Sequence, residues 1–306
     1  MLWVAVEMAA SLRHTVCAGL AGLTLFSACA GPAGASSSRP AAAPPVRSSP
    51  SAAPVEAMAS PTPAPVSAAP ADEVAELATR LRVLEARIRA STTHYTQLPV
   101  LGESQQDAYQ ELIAHPDWAP RLLSLTPSDL RDVVSANLSA AQQIRELNGL
   151  RTSLPHWRIV TPSEPDVLLA YYHEAQARYG IPWEYLAAIN LIETSMGRIQ
   201  GTSVAGALGP MQFMPATWAS YGQGGNVDDP HDAILAAGRY LRAHGAPGDM
   251  ARAVYAYNPS DLYVRAVTLY AGVMQADSRA FFGYYFWRVY VPTTKGDILL
   301  PPGFSN

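Results

Sequence analysis

Glu193 is the residue whose type and position most invite chemistry. It lies in the stretch IPWEYLAAINLIETSMGR, from Ile181 to Arg198. Ile181-Pro182 reads as a helix start, because a proline at the first helical position forfeits only an N–H that has no intrahelical partner. Gly197 reads as the stop. At about 100° per residue, Tyr185, Leu186, Ile189, Ile192 and Met196 share one face, and Glu193 falls inside that apolar stripe. Glu184 falls on the far side, where a surface Glu belongs. Glu193 also sits in the last turn, where the helix dipole disfavours negative charge. Partial burial and the dipole both push its pKa upward, toward a carboxyl protonated near neutral pH, which is the state a general acid needs. The plainer alternative is a Glu at the stripe edge that turns to solvent or pairs with Arg198.

Four further groups of polar residues follow within seventy positions of Glu193. Ser203 lies in the loop GTSVAGALG, Gln212 in GPMQFMPATW, Tyr257 and Asn258 in AYN, and Tyr263 five residues on. Each also has a structural use. Gln212 can cap the short helix after it, Ser203 can serve a turn, and the tyrosines can be core aromatics with a wet hydroxyl. His231 and His244 lack the spacing of metal ligands, so no metal site is expected. No phosphate loop or nucleophile elbow occurs, and no cofactor is expected.

The elements that must position these residues read as short helices. Residues 72–90 carry Val74, Leu77, Leu81, Leu84 and Ile88, spaced 3, 4, 3, 4 as a heptad seam. The seam is short for a free coiled coil, so it packs on its own domain or dimerises. Ser104 reads as the cap of a helix to Ala114. Thr126-Pro127-Ser128-Asp129 reads as the start of a long helix stopped by Asn148-Gly149. Helices are then expected from Pro165 to Tyr179, from Pro215 to Ser220, from Asp229 to before Gly245, from Asp249 to Tyr257, and from Ser260 or Asp261 to about Met274. No strand pattern appears among them. The aromatic run Tyr284 to Val291 and Ile298 to Leu300, with a turn near Lys295-Gly296, read as a β-hairpin whose aromatics cap the core.

Composition bounds the setting. The 306 residues carry a net charge of −4 and are 49% hydrophobic, enough for one or two domains with a real core. That charge argues against nucleic acid as the partner. Arg13 and His14 precede an apolar run from Val16 to Phe26 that ends at Ser27-Ala28-Cys29, in the order of an export signal. FSAC resembles a bacterial lipobox, with Cys29 as the lipidated residue; an ordinary signal cleaved after an Ala is the alternative. The other cysteine, Cys17, lies inside the signal, so the exported part has no disulfide and no thiol nucleophile. The expected organisation is an export segment at 1–29, an Ala/Pro/Ser linker at 30–71, a helical extension at 72–153, a catalytic domain at 154–280 and an aromatic hairpin and tail at 281–306.

Together, IETSMGR, Ser203, GPMQFMPATW and AYN resemble the lytic transglycosylases of bacterial cell walls. IET, the longer GPMQFMPATW and DPHDAI are most similar to the branch of membrane-bound lytic transglycosylase B. The resemblance covers about Trp157 to Met274. It implies a mainly α, lysozyme-like catalytic domain, here with an N-terminal helical extension and a short C-terminal hairpin. It also implies export to the bacterial cell envelope, lipid-anchored or secreted, with peptidoglycan glycan strands as partner.

By that resemblance Glu193 is the single catalytic acid/base and Ser203 contacts the substrate N-acetyl group. Gln212 lines the glycan groove, Tyr257 positions the carboxyl with Asn258 as its partner, and Tyr263 belongs to the groove wall. The chain departs from many relatives in having Pro259-Ser260 where they have Gly after AYN. Ordinary glycosidases pair two carboxylates; Asp228, Asp229 and Asp232 read here as loop or cap residues. The family's solution is assistance by the substrate's own N-acetyl group, giving a 1,6-anhydro product. A hydrolytic muramidase of the same fold and a non-catalytic peptidoglycan-binding scaffold remain as other readings.

Overall fold

The computed structural model describes residues 71–306. The expectations for the export segment, Cys29 and most of the linker lie outside the described residues. The described part is mainly helical, with two short antiparallel strand pairs. No described helix is long and apolar enough to cross a membrane.

The first helix, α1 (Ala71–Arg89), buries all five seam residues against the rest of the chain. It packs on α2 (Leu98–Ala114) and α3 (Ala119–Leu125). α2 begins six residues before Ser104, with Pro99 in its first turn, because a proline there costs no hydrogen bond. α4 (Ser128–Asn148) starts without the expected side-chain cap. Thr126 instead turns its hydroxyl back to the Leu122 carbonyl at 2.9 Å, closing the helix before it. Gly149, at φ 62°, ends α4 as read from the sequence.

α5 (Pro165–Tyr179) stops at Gly180 in the left-handed conformation. α6 (Trp183–Thr194) carries Glu193. α7 (Pro215–Tyr221), α8 (Pro230–Ala243), α9 (Met250–Tyr257) and α10 (Asp261–Ala276) follow. Asp229 caps α8 by accepting from the His231 and Asp232 amides, and Asp249 caps α9 through the Arg252 amide. α10 lies against both α4 and α6, so it joins the helical extension to the helix of Glu193.

Two features were not expected. β1 (Arg158–Ile159) and β2 (Ile199–Gln200) form a two-residue antiparallel pair, too short to show a period in sequence. The other edge of β1 is taken by the chain's end: Ile159 donates to Phe304, Gly303 donates to Ile159, and Arg158 bridges Ser305. In addition, Tyr284 and Tyr285 belong to a helix, α11 (Ala280–Tyr285), and the hairpin is confined to β3 (Val289–Thr293) and β4 (Gly296–Leu300). Tyr284 and Trp287 do cap the core.

One apolar core runs from Val74 to Trp287, and a smaller one joins Trp157, Ile159 and Ile199 to Val289, Val291 and Leu300. Within the large core lies a buried polar knot. The Glu85 carboxylate accepts from Arg89, Gln105, Tyr109 and Asn137. Tyr284 donates to Asn137, and the Trp287 indole donates to Gln105. α1, α2, α4 and α11 thus meet at one carboxylate whose oxygens are all engaged.

Candidate functional site

α6 is buried on every side from Leu186 onward, not along one stripe as the sequence suggested. Its Ala-rich middle lets α10, α5 and α8 approach closely. The helix ends at Thr194, three residues before Gly197. Ser195, Met196 and Gly197 all have positive φ, at 51°, 62° and 87°. Their amides close the helix in a left-handed cap: Ser195 N–H donates to Leu191, and Met196 N–H to Asn190. Two non-glycine residues in this conformation store strain of about 1–2 kcal/mol each. Such strain persists where surrounding structure fixes it.

Glu193 is 1% exposed. It makes no ion pair with Arg198, which donates to the Ser195 carbonyl and stacks on Tyr285. One carboxyl oxygen, Oε1, accepts from the Tyr263 hydroxyl at 2.7 Å. The other, Oε2, is buried without a hydrogen-bond partner. Burial pushes the Glu193 pKa up to about 8, and the Tyr263 hydrogen bond, which favours the charged form, opposes that rise. The carboxyl is therefore mostly protonated at neutral pH. Because Tyr263 occupies Oε1 as a donor, the acid's own proton belongs on Oε2.

The two tyrosines sit differently from the roles that the resemblance implied. Tyr263 is fully buried, so it cannot form a groove wall; it holds the carboxyl instead. Tyr257 makes no hydrogen bond to the carboxyl. Its hydroxyl donates to the Met211 carbonyl at 2.7 Å. Burial and, next, the nearby Glu193 charge raise its pKa well above the usual phenol value. The burial of Tyr263, though not its contact with the acid, is legible in the sequence: Tyr263, Val267, Tyr270 and Met274 recur at helical spacing on the buried face of α10.

Ser203 is buried in its loop. Its hydroxyl accepts from the Ala207 amide at 2.8 Å, and its backbone pairs with the same residue. Asn258 is buried at the end of α9. Gln212 is half-buried, has φ 50°, and donates its side-chain amide to the Gly209 carbonyl at 2.8 Å; it does not cap α7. Gln212, Met214, Thr217, Tyr240 and Tyr257 line one cleft, and Thr161, Gly197, Gln200, Pro210 and Asp228 line a second. The turn from Gly209 to Phe213 contributes to both.

Asp229, His231 and Asp232 stand close together, but Asp229 is committed to its cap, Asp232 to the Asn226 amide and His231 to Glu174. Among the described residues no second acid is bonded to Glu193, whose Oε1 has Tyr263 for its partner.

Residues 170–275 match the family described as Transglycosylase SLT domain. The match runs from within α5 to within α10 and includes Glu193, Ser203, Gln212, Tyr257, Asn258 and Tyr263. The match supports a lytic-transglycosylase type of role for this segment, which lies within a mainly helical fold that includes a lysozyme-like domain. No curated protein and no solved structure gave a significant match.

Proposed function

We propose that this protein is a peptidoglycan lytic transglycosylase that cleaves the MurNAc–GlcNAc β-1,4 bond and leaves 1,6-anhydro-MurNAc ends. The observation that carries the reading is Glu193: a buried carboxyl with one oxygen held by Tyr263 and the other buried without a partner, its pKa pushed up to about 8 by that burial. A group with a pKa near working pH can give a proton and take one back. The Oε2 proton passes to the glycosidic oxygen as the bond from C1 to that oxygen breaks. The oxygen of the substrate's N-acetyl group bonds to C1 in its place, as in substrate-assisted glycosidases. The Glu193 carboxylate then takes the proton of the C6 hydroxyl on the same muramic acid. O6 bonds to C1, the acetyl oxygen leaves, and no water is consumed.

In this reading Tyr263 is a positioning residue, Gln212 and Tyr257 belong to the glycan-binding wall, and Ser203 and Asn258 shape it. The longer GPMQFMPATW motif favours the branch of membrane-bound lytic transglycosylase B. Lipid attachment at Cys29 would hold the enzyme at the membrane.

The test is mass spectrometry of fragments released from purified peptidoglycan by the full-length protein and by Glu193→Gln. Fragments one water lighter than hydrolysis products, absent with the variant, are expected. Reducing-end fragments would show a muramidase, and release of fragments by the variant would remove Glu193 from the chemistry. Binding to insoluble wall with no release by the wild type would show a scaffold.

A further inference from the structure

The turn that carries Gln212 is gripped from two helices. On one side the Pro210 carbonyl accepts two side-chain donors from α6, Asn190 Nδ2 at 2.9 Å and Thr194 Oγ1 at 2.6 Å. On the other side the next carbonyl, Met211, accepts from Tyr257 of α9. The α6 donors are themselves fixed. Tyr172 donates to Asn190 Oδ1 at 2.6 Å, and Thr194 Oγ1 accepts from the Gly197 amide at 3.1 Å. Tyr172, Asn190 and Thr194 are all buried.

Gln212 follows directly on these two pinned carbonyls. It holds a left-handed φ of 50° that a non-glycine residue rarely adopts. Its Nε2 donates to Gly209, which leaves Oε1 as the side-chain atom free for a ligand. That atom is an acceptor, so it selects a hydroxyl or amide N–H on the ligand. A left-handed side-chain-bearing residue persists only where its surroundings over-determine it. Here the surroundings are the two gripped carbonyls.

We propose that Thr194 and Asn190 are positioning residues which, acting through the Pro210 carbonyl, hold Gln212 so that its Oε1 meets a donor on the glycan at a fixed distance from Glu193. Thr194 adjoins Glu193 on the same helical turn, so the acid and the Gln212 turn share one rigid link. The inference rests on the glycan-cleaving reading only for what Gln212 binds; the grip itself can be tested without it.

Two measurements on the full-length protein decide it, for wild type, Thr194→Val and Thr194→Ser. The first is hydrogen exchange at the Gln212 and Phe213 amides, which close the turn onto Gly209 and Leu208. The second is turnover of purified peptidoglycan per folded molecule, with its pH profile. Thr194→Val, nearly isosteric but without the hydroxyl, should speed exchange at both amides. It should also lower kcat roughly tenfold or more, since small misplacements of substrate are costly. The alkaline limb set by Glu193 should not move, and Thr194→Ser should restore exchange and kcat. A purely structural role would lower the melting temperature but leave kcat per folded molecule intact. Wild-type exchange and turnover in Thr194→Val would overturn the proposal, as would equal loss in Thr194→Ser. If Thr194→Val does not fold, Thr194→Ala carries the same comparison. A wild type that releases no fragments would sink the glycan reading, and exchange would still decide the grip.

Discussion

At the scale of the residue, Glu193 is a group that the fold keeps away from water at some cost. Its pKa rises from 4.5 to about 8 on folding. Below pH 4.5 it is protonated in both folded and unfolded chains and contributes no penalty. Between 4.5 and about 8 the unfolded chain ionises first, so stability is lost progressively until the folded carboxyl also ionises. The loss amounts to a few kcal/mol, since each tenfold change in proton affinity is worth about 1.4 kcal/mol. Glu193→Gln removes that dependence. Its melting temperature should therefore gain on the wild type as pH rises from 4.5 to 8, measured by calorimetry across that range; a constant difference would mean that the carboxyl is not shielded. The partner hydroxyl predicts a second effect. Tyr263 favours the charged form, so Tyr263→Phe should push the Glu193 pKa further up and move the alkaline limb of the rate profile to higher pH. A limb that moved down would contradict the geometry.

At the scale of the element, the site depends on turns more than on helices. Gly209 shows why. Its φ is 70°, and a Cβ placed there would lie 1.9 Å from the Val227 carbonyl oxygen. Gly209→Ala should therefore force apart the Gln212 turn and the loop before α8. A loss of about 2–4 kcal/mol of stability is expected, read from urea unfolding, with wall cleavage reduced in the remaining folded protein. The helices themselves were largely legible. Gly180 and Gly149 stop α5 and α4, and Asp229 and Asp249 cap α8 and α9, because these endings use residues with one strong local preference. The endings that the sequence does not reveal break local preference. Ser195 and Met196 take a conformation that glycine favours, which is why Gly197 looked like the stop. Thr126 looked like a cap for the helix after it but serves the one before. The YYFW run reads as a strand because aromatic residues suit strands, yet both tyrosines are helical and point inward, Tyr284 donating to Asn137 of α4 and Tyr285 to the Ser163 carbonyl. Of the site, the acid's position in an apolar helix was readable. Which tyrosine reaches it was not, since that depends on how α9 and α10 pack.

At the scale of the whole molecule, the segments before and after the transglycosylase match are bound into one interior. Glu85 sits where α1, α2, α4 and α11 converge, and it satisfies four donors at once. Removing it would leave the half-buried Arg89 with only the longer ion pair to Asp277 at 3.9 Å and strand two further donors, Gln105 and Tyr109. Glu85→Ala should cost about 3–5 kcal/mol, as for other broken buried pairs, and denaturant melts followed by fluorescence of the nearby Trp287 would measure it. Near-neutral stability of that variant would show that the knot is solvated. The tail has a different consequence. Residues 303–305 complete the edge of β1, while β2 follows Glu193 by only six positions. A chain emerging from the ribosome displays its acid about a hundred residues before it can finish this sheet. The cleft wall beside Gln200 is thus assembled late, after synthesis has passed the chemistry, so a half-made chain carries the acid without the finished wall around it.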